Sequence, residues 1–156
     1  MIGHNKLNIQ CLVILAIQLI FFGCTSPGSV KMDRLEYPLN YLQKVVADAL
    51  PGGKRMISQN DREFSSVYFL PTKKGFGPAG NSSYRYYAKI TVLGDRRPYN
   101  IEIIVIKEER NGRRDSGDYS SVGTDKRIAR IIQKRIQNIL SKRRDDYNII
   151  DDFRVF

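Results

Sequence analysis

Residues 84–109, YRYYAKITVLGDRRPYNIEIIVIKEE, read as a β-hairpin to which the rest of the architecture must fit. Tyr84, Tyr86, Ala88, Ile90 and Val92 alternate with Arg85, Tyr87, Lys89 and Thr91, the period of two expected of a strand with one buried face. After the turn signal Asp95-Arg-Arg-Pro98 the pattern resumes, with Tyr99, Ile101, Ile103 and Val105 on one side and Asn100, Glu102 and Ile104 on the other. Pairing Val92 with Ile101 puts both apolar sets on the same face. A slip of one residue would turn one set outward, so this register is favoured.

Outward from the hairpin, the flanking segments read as helices. YPLNYLQKVVADALPGG, residues 37–53, carries Leu39, Leu42, Val45, Val46, Ala49 and Leu50 at three-and-four spacing. Pro38 suits its first turn, and Pro51-Gly52-Gly53 ends it. GTDKRIARIIQKRIQNILSKRR, residues 123–144, gathers Ile128, Ile131, Ile132, Ile136, Ile139 and Leu140 in one arc, opposite Lys126, Arg127, Arg130 and Lys134. Thr124 is its expected cap. REFSSVYFLP, residues 62–71, reads as one short strand centred on Val67–Leu70. The expected architecture is an α+β two-layer sandwich of order α-β-β-β-α, a three-stranded antiparallel sheet with two helices on one face. The tail from Asp145 reads as a short strand or an irregular flap.

Two stretches, 71–83 and 109–123, read as long loops of the kind that carry function or lack order. In an up-down-up sheet they meet at one end. This gathers Lys73, Lys74, Arg110, Arg113 and Arg114 with Phe76 and Tyr119. Tyr87 faces outward on the central strand, where Tyr and Arg suit a protein interface. With the first helix antiparallel to the first strand, the chain's amino-terminal leash starts beside these basic loops.

The opening thirty residues specify address. An apolar run from Cys11 to Phe22, broken only by Gln18, has 12 residues, where a bilayer-spanning helix needs about 20. With Lys6 before it and small residues after it, the run fits a secretory signal core. Its end, Phe21-Phe22-Gly23-Cys24, resembles the lipobox of bacterial lipoproteins. The resemblance implies cleavage before Cys24, a thioether-linked diacylglycerol and an acylated (palmitate-type) amino terminus. Thr25 in place of aspartate implies the outer membrane, facing the periplasm, rather than the inner membrane. Ordinary secretion with a cut near Gly23 or Ser26, and a cytosolic chain with a buried apolar start, are the alternatives. The expected organisation is a signal peptide over 1–23, a flexible tether over 24–36 and a single domain over 37–156. Such a tether reaches roughly 40 Å when extended.

Composition narrows the chemistry. Residues 1–23 hold one of the 26 lysines and arginines and none of the 16 acids, so the remaining 133 residues carry +9. That surplus attracts anionic partners, which in an envelope are lipid headgroups, lipopolysaccharide phosphates or acidic proteins. Nucleic acid is not expected of an exported chain. The only histidine is His4 and the only cysteines are Cys11 and Cys24. The mature domain therefore has no disulfide, no histidine-assisted nucleophile and no histidine or thiolate metal site. Gly75-Phe-Gly-Pro-Ala-Gly80 has dinucleotide-loop spacing, but no strand feeds it into a helix. Asp115–Ser121 lacks the twelve-residue calcium pattern. The acid pairs Glu108-Glu109, Asp145-Asp146 and Asp151-Asp152 have no context that fixes a catalytic partner. The expected function is a lipid-anchored, non-catalytic envelope accessory protein without cofactor or metal, engaging a protein or anionic partner. A binder of lipopolysaccharide or cell-wall ligands, and a carboxylate-based cell-wall hydrolase, are the competing readings.

Overall fold

The computed structural model describes residues 28–112 and 118–144. In chain order its elements are β1 (Val30–Leu35), α1 (Leu39–Ala49), β2 (Lys54–Ile57), β3 (Glu63–Ser66), β4 (Phe69–Thr72), β5 (Gly75–Pro78), β6 (Tyr84–Leu93), β7 (Tyr99–Arg110), β8 (Tyr119–Thr124) and α2 (Lys126–Arg144). All eight strands form one antiparallel sheet, with β6 and β7 as its spine. The spine register is the one that aligned apolar faces require, Val92 opposite Ile101 and Ile90 opposite Ile103.

The three-stranded sheet is thereby overturned. Each long spine strand is flanked by two shorter strands laid end to end. Near the 93–99 turn, β3 and then β2 extend the sheet from β6, and β1 extends it from β7. Toward the far end, β4 and β5 continue from β6, and β8 continues from β7. Of these, β2, β5 and β8 are short or rich in Gly, Pro and Ser, and much of their side-chain surface stays in solvent. The burial alternation that reveals a strand is therefore weak in them.

Residues 62–71 form two strands because of Ser66. Its hydroxyl accepts from the Ala88 amide at 2.9 Å and donates to the Val67 carbonyl at 2.8 Å. A side chain thus replaces a backbone acceptor in the ladder with β6, and pairing stops there. Residues 71–83 hold the end of β4, the Lys73-Lys74 turn and all of β5, and within 109–123 residues 119–123 belong to β8.

The expected tether is also corrected. Residues 30–35 pair with β7 as β1, burying Val30 and Met32. Gln133 of α2 donates to the Lys31 carbonyl at 3.1 Å, so a helix side chain occupies part of this edge. Two inward side chains and a left-handed Arg34 (φ 57°) are too little periodicity to read from sequence.

Both helices lie against the sheet and against one another. One core joins Leu42, Val45 and Val46 of α1 with Ile128, Ile132 and Ile136 of α2 over Ala88, Ile90, Ile101 and Ile103. Two details of α2 differ from expectation. Asp125 caps it, its Oδ1 accepting from the Ile128 amide at 3.0 Å, and Ile131 is 48% exposed. Among the described residues no helix is long and apolar enough to cross a membrane. The tail from Asp145 lies outside the described residues.

Candidate functional site

The helices cover the face of the spine that carries Tyr86, Ala88, Ile90, Ile101 and Ile103, so the opposite face is open. Cross-strand pairs on that face are Arg85–Glu108, Tyr87–Ile106, Lys89–Ile104 and Thr91–Glu102. Ile104 and Ile106 are half-buried there although no helix lies over them.

Across this face tyrosines and arginines alternate in a ladder drawn from five segments. Arg55 of β2 lies 5.2 Å from the ring centre of Tyr87 and 4.5 Å from that of Tyr68. Arg85 lies between two rings, 3.5 Å from Tyr68 and 3.8 Å from Tyr119. Arg110 follows at 5.2 Å from Tyr119. Each guanidinium is a flat cation against the electron-rich face of a ring, which suits Arg better than Lys.

Hydrogen bonds fix the ladder. Arg85 Nε donates to Glu108 Oε2 at 2.7 Å. Arg55 donates to the Tyr68 hydroxyl at 3.0 Å and to the Ser66 carbonyl at 3.3 Å. Arg110 donates to the Tyr119 hydroxyl at 2.6 Å, and that hydroxyl donates to the Ser82 carbonyl at 2.7 Å. Lys89 pairs with Glu63 at 2.9 Å beside Tyr87. Burial raises the Tyr87 pKa, Glu108 raises it further, and Arg55 pulls it back. Its hydroxyl is therefore a neutral donor at physiological pH.

The residues singled out from sequence separate into three groups. Arg110, Tyr119 and Tyr87 belong to the ladder, and Arg110 also reaches Asn81 at 3.3 Å. Lys73 and Lys74 stand exposed at the tip of the β4–β5 hairpin. Phe76 is turned inward, edge-on to the buried Phe69 at 4.9 Å, and is a packing residue rather than a contact residue. Cys24, Arg113, Arg114 and Asp115 lie outside the described residues, as do the acid pairs at 145–146 and 151–152. Sequence reasoning missed Arg55, Tyr68 and the apolar pair Ile104 and Ile106. Arg55 and Tyr68 are 13 residues apart and meet only because β2 and β3 pair, so no local pattern marks them.

The face can present flat aromatic and aliphatic surface ringed by fixed cations. Among the described residues no three His, Cys, Asp or Glu side chains gather as metal ligands. Comparison of the chain with protein-family models, with characterised proteins and with solved structures finds no match.

Proposed function

We propose that this chain is a lipid-anchored accessory protein of a bacterial cell envelope, held at the membrane through Cys24, whose open sheet face binds a protein partner without catalysis. The observation that carries the partner reading is the composition of that face. Tyr68, Tyr87, Ile104 and Ile106 form its apolar part, and Arg55, Arg85 and Lys89 rim it. Aromatic residues and arginine are the types enriched where proteins meet, and their side chains here are already held in place. Preordered side chains lose less entropy on binding.

The exposed Lys73-Lys74 tip and the +9 charge favour a second reading, an anionic envelope ligand such as lipopolysaccharide or a cell-wall fragment. Photocrosslinking from residue 87 and from residue 74, in intact membranes, separates the two. A discrete protein adduct from position 87, weakened more by Ile104→Ala than by neutralising both lysines, supports the protein partner. Adducts confined to position 74 and dispersed by salt support the anionic ligand. The anchor is tested by the intact mass of protein extracted from membranes. A chain starting at Cys24 with added acyl mass, and an unprocessed Cys24→Ala variant, are expected; an unmodified chain cut elsewhere refutes it.

A further inference from the structure

The described fold begins much closer to Cys24 than a thirteen-residue tether would place it. Gly28 packs against Thr124 with φ +92°, so closely that a Cβ at position 28 would overlap Thr124 Oγ1. Gly28 follows Cys24 by only four positions, a span of about 14 Å at full extension. Thr124 is two residues before the start of α2. Any lipid on Cys24 therefore holds the amino-terminal end of α2 beside the bilayer. Gly28 itself lies on the β1–β8 side of the sheet, away from the Lys73-Lys74 hairpin on the β5 side.

The outer face of α2 has the charge for that position. Lys126, Arg127, Arg130, Lys134, Arg135 and Lys142 are all exposed, and no acid occurs between Lys126 and Arg144. At 100° per residue these six fall within one half of the helix circumference, and Arg127, Arg130 and Lys134 within a narrow stripe. The stripe runs beside the exposed Ile131. Lys126 and Arg127 stand in the first turn, where cations oppose the helix dipole. The sequence thus gives up helix stability to place charge at the end nearest the leash. Ile128, Ile132 and Ile136 remain buried against the sheet, so docking does not require the helix to leave the core.

Resting on the anchor reading above, we infer that the outer face of α2 docks on an anionic bilayer surface, with Ile131 at the headgroup level. The open sheet face, on the opposite side of the sheet from α2, then points away from the membrane toward its partner. Each cation held near an anionic surface strengthens association about fivefold, so neutralising three shifts the docked population about a hundredfold.

The test uses the full chain, extracted from membranes and reconstituted in vesicles of phosphatidylcholine alone or with phosphatidylglycerol. Ile131→Cys and, separately, Ile104→Cys are labelled with a membrane-impermeant maleimide and read by peptide mass, alongside the acyl mass on Cys24. Position 131 is expected to be protected relative to 104 only on the anionic vesicles. One molar salt, or Arg127→Gln with Arg130→Gln and Lys134→Gln, is expected to abolish the protection. Equal labelling of the two positions overturns the docking face whether or not Cys24 is acylated. Equal protection on both vesicle types overturns it too, since the face then does not respond to charge. Protection by soluble heparin but not by anionic vesicles assigns the face to a soluble polyanion and likewise overturns it. Salt-sensitive protection on a chain without acyl mass refutes the anchor and leaves the docking face standing.

Discussion

Arg85 joins the two halves of the tyrosine–arginine ladder, and its removal tests whether that ladder is a built feature. Arg85→Ala deletes a charge-assisted hydrogen bond to Glu108 and two ring contacts, at 3.5 Å and 3.8 Å. The side chains of the ion pair are 21% and 14% exposed, so solvent screens the pair only partly. A hydrogen bond to a charged group contributes about 1.5–3 kcal/mol, and each cation–ring contact about 0.5–1 kcal/mol. The expected loss is roughly 3 kcal/mol, a large share of the ~5–15 kcal/mol that holds an ordinary domain together. Arg85→Lys keeps the charge but not the flat face, and is expected to lose about half as much. Urea unfolding of both variants, and of a double-mutant cycle with Glu108→Ala, measures this. A coupling near zero with a loss below about 0.5 kcal/mol would instead make Arg85–Glu108 an ordinary surface pair, and the ladder would not be a built feature.

Three further outcomes follow from the same structure. Ser66→Ala leaves the buried Ala88 amide without its acceptor; a loss of about 1–3 kcal/mol is expected, with faster hydrogen exchange at that amide. Gly28→Ala forces a residue with a Cβ into left-handed backbone against Thr124. It is expected to cost at least about 1–2 kcal/mol and to raise amide exchange in β1, while Thr124→Gly relieves the overlap but not the backbone strain. The hydroxyls of Tyr86 and Tyr87 have pKa values above the ordinary 10.0, raised chiefly by burial, with Asp125 adding to Tyr86 and Glu108 to Tyr87. The unfolded chain therefore releases these protons first as pH rises. The associated stability is intact below pH 10 and lost as pH climbs through the folded values. Urea midpoints measured from about pH 8 to about pH 12 should fall, and Tyr86→Phe should flatten the fall; an unchanged slope in that variant would contradict the assignment.

Legibility in the sequence tracked burial on one side. The spine register and the buried stripes of α1 and α2 were readable because each has a wet face and a dry face, and regular alternation between them leaves a period of about 2 or 3.6. Of the flanking strands only β3 and β4 were readable, and those as a single strand over 62–71. β5 is Gly-Phe-Gly-Pro and β8 is largely exposed; their places are set by hydrogen bonds to neighbours already in position, which leave little mark on side-chain type. Ile131 shows the limit even of a clear period, since it lies at the edge of the apolar arc and only the sheet's width decides what is covered.

The spine, the two helices, the net charge of +10 and the lack of any histidine or cysteine after Cys24 can all be read from the amino-acid sequence. These depend on residue type and local spacing, which the chain carries at every point. Folding is what brings Arg55, Tyr68, Arg85 and Tyr119 into one ladder and sets Gly28 against Thr124, from the far end of the domain's sequence. Such contacts join segments with no local relation to one another. Their partners exist only after the strands have paired.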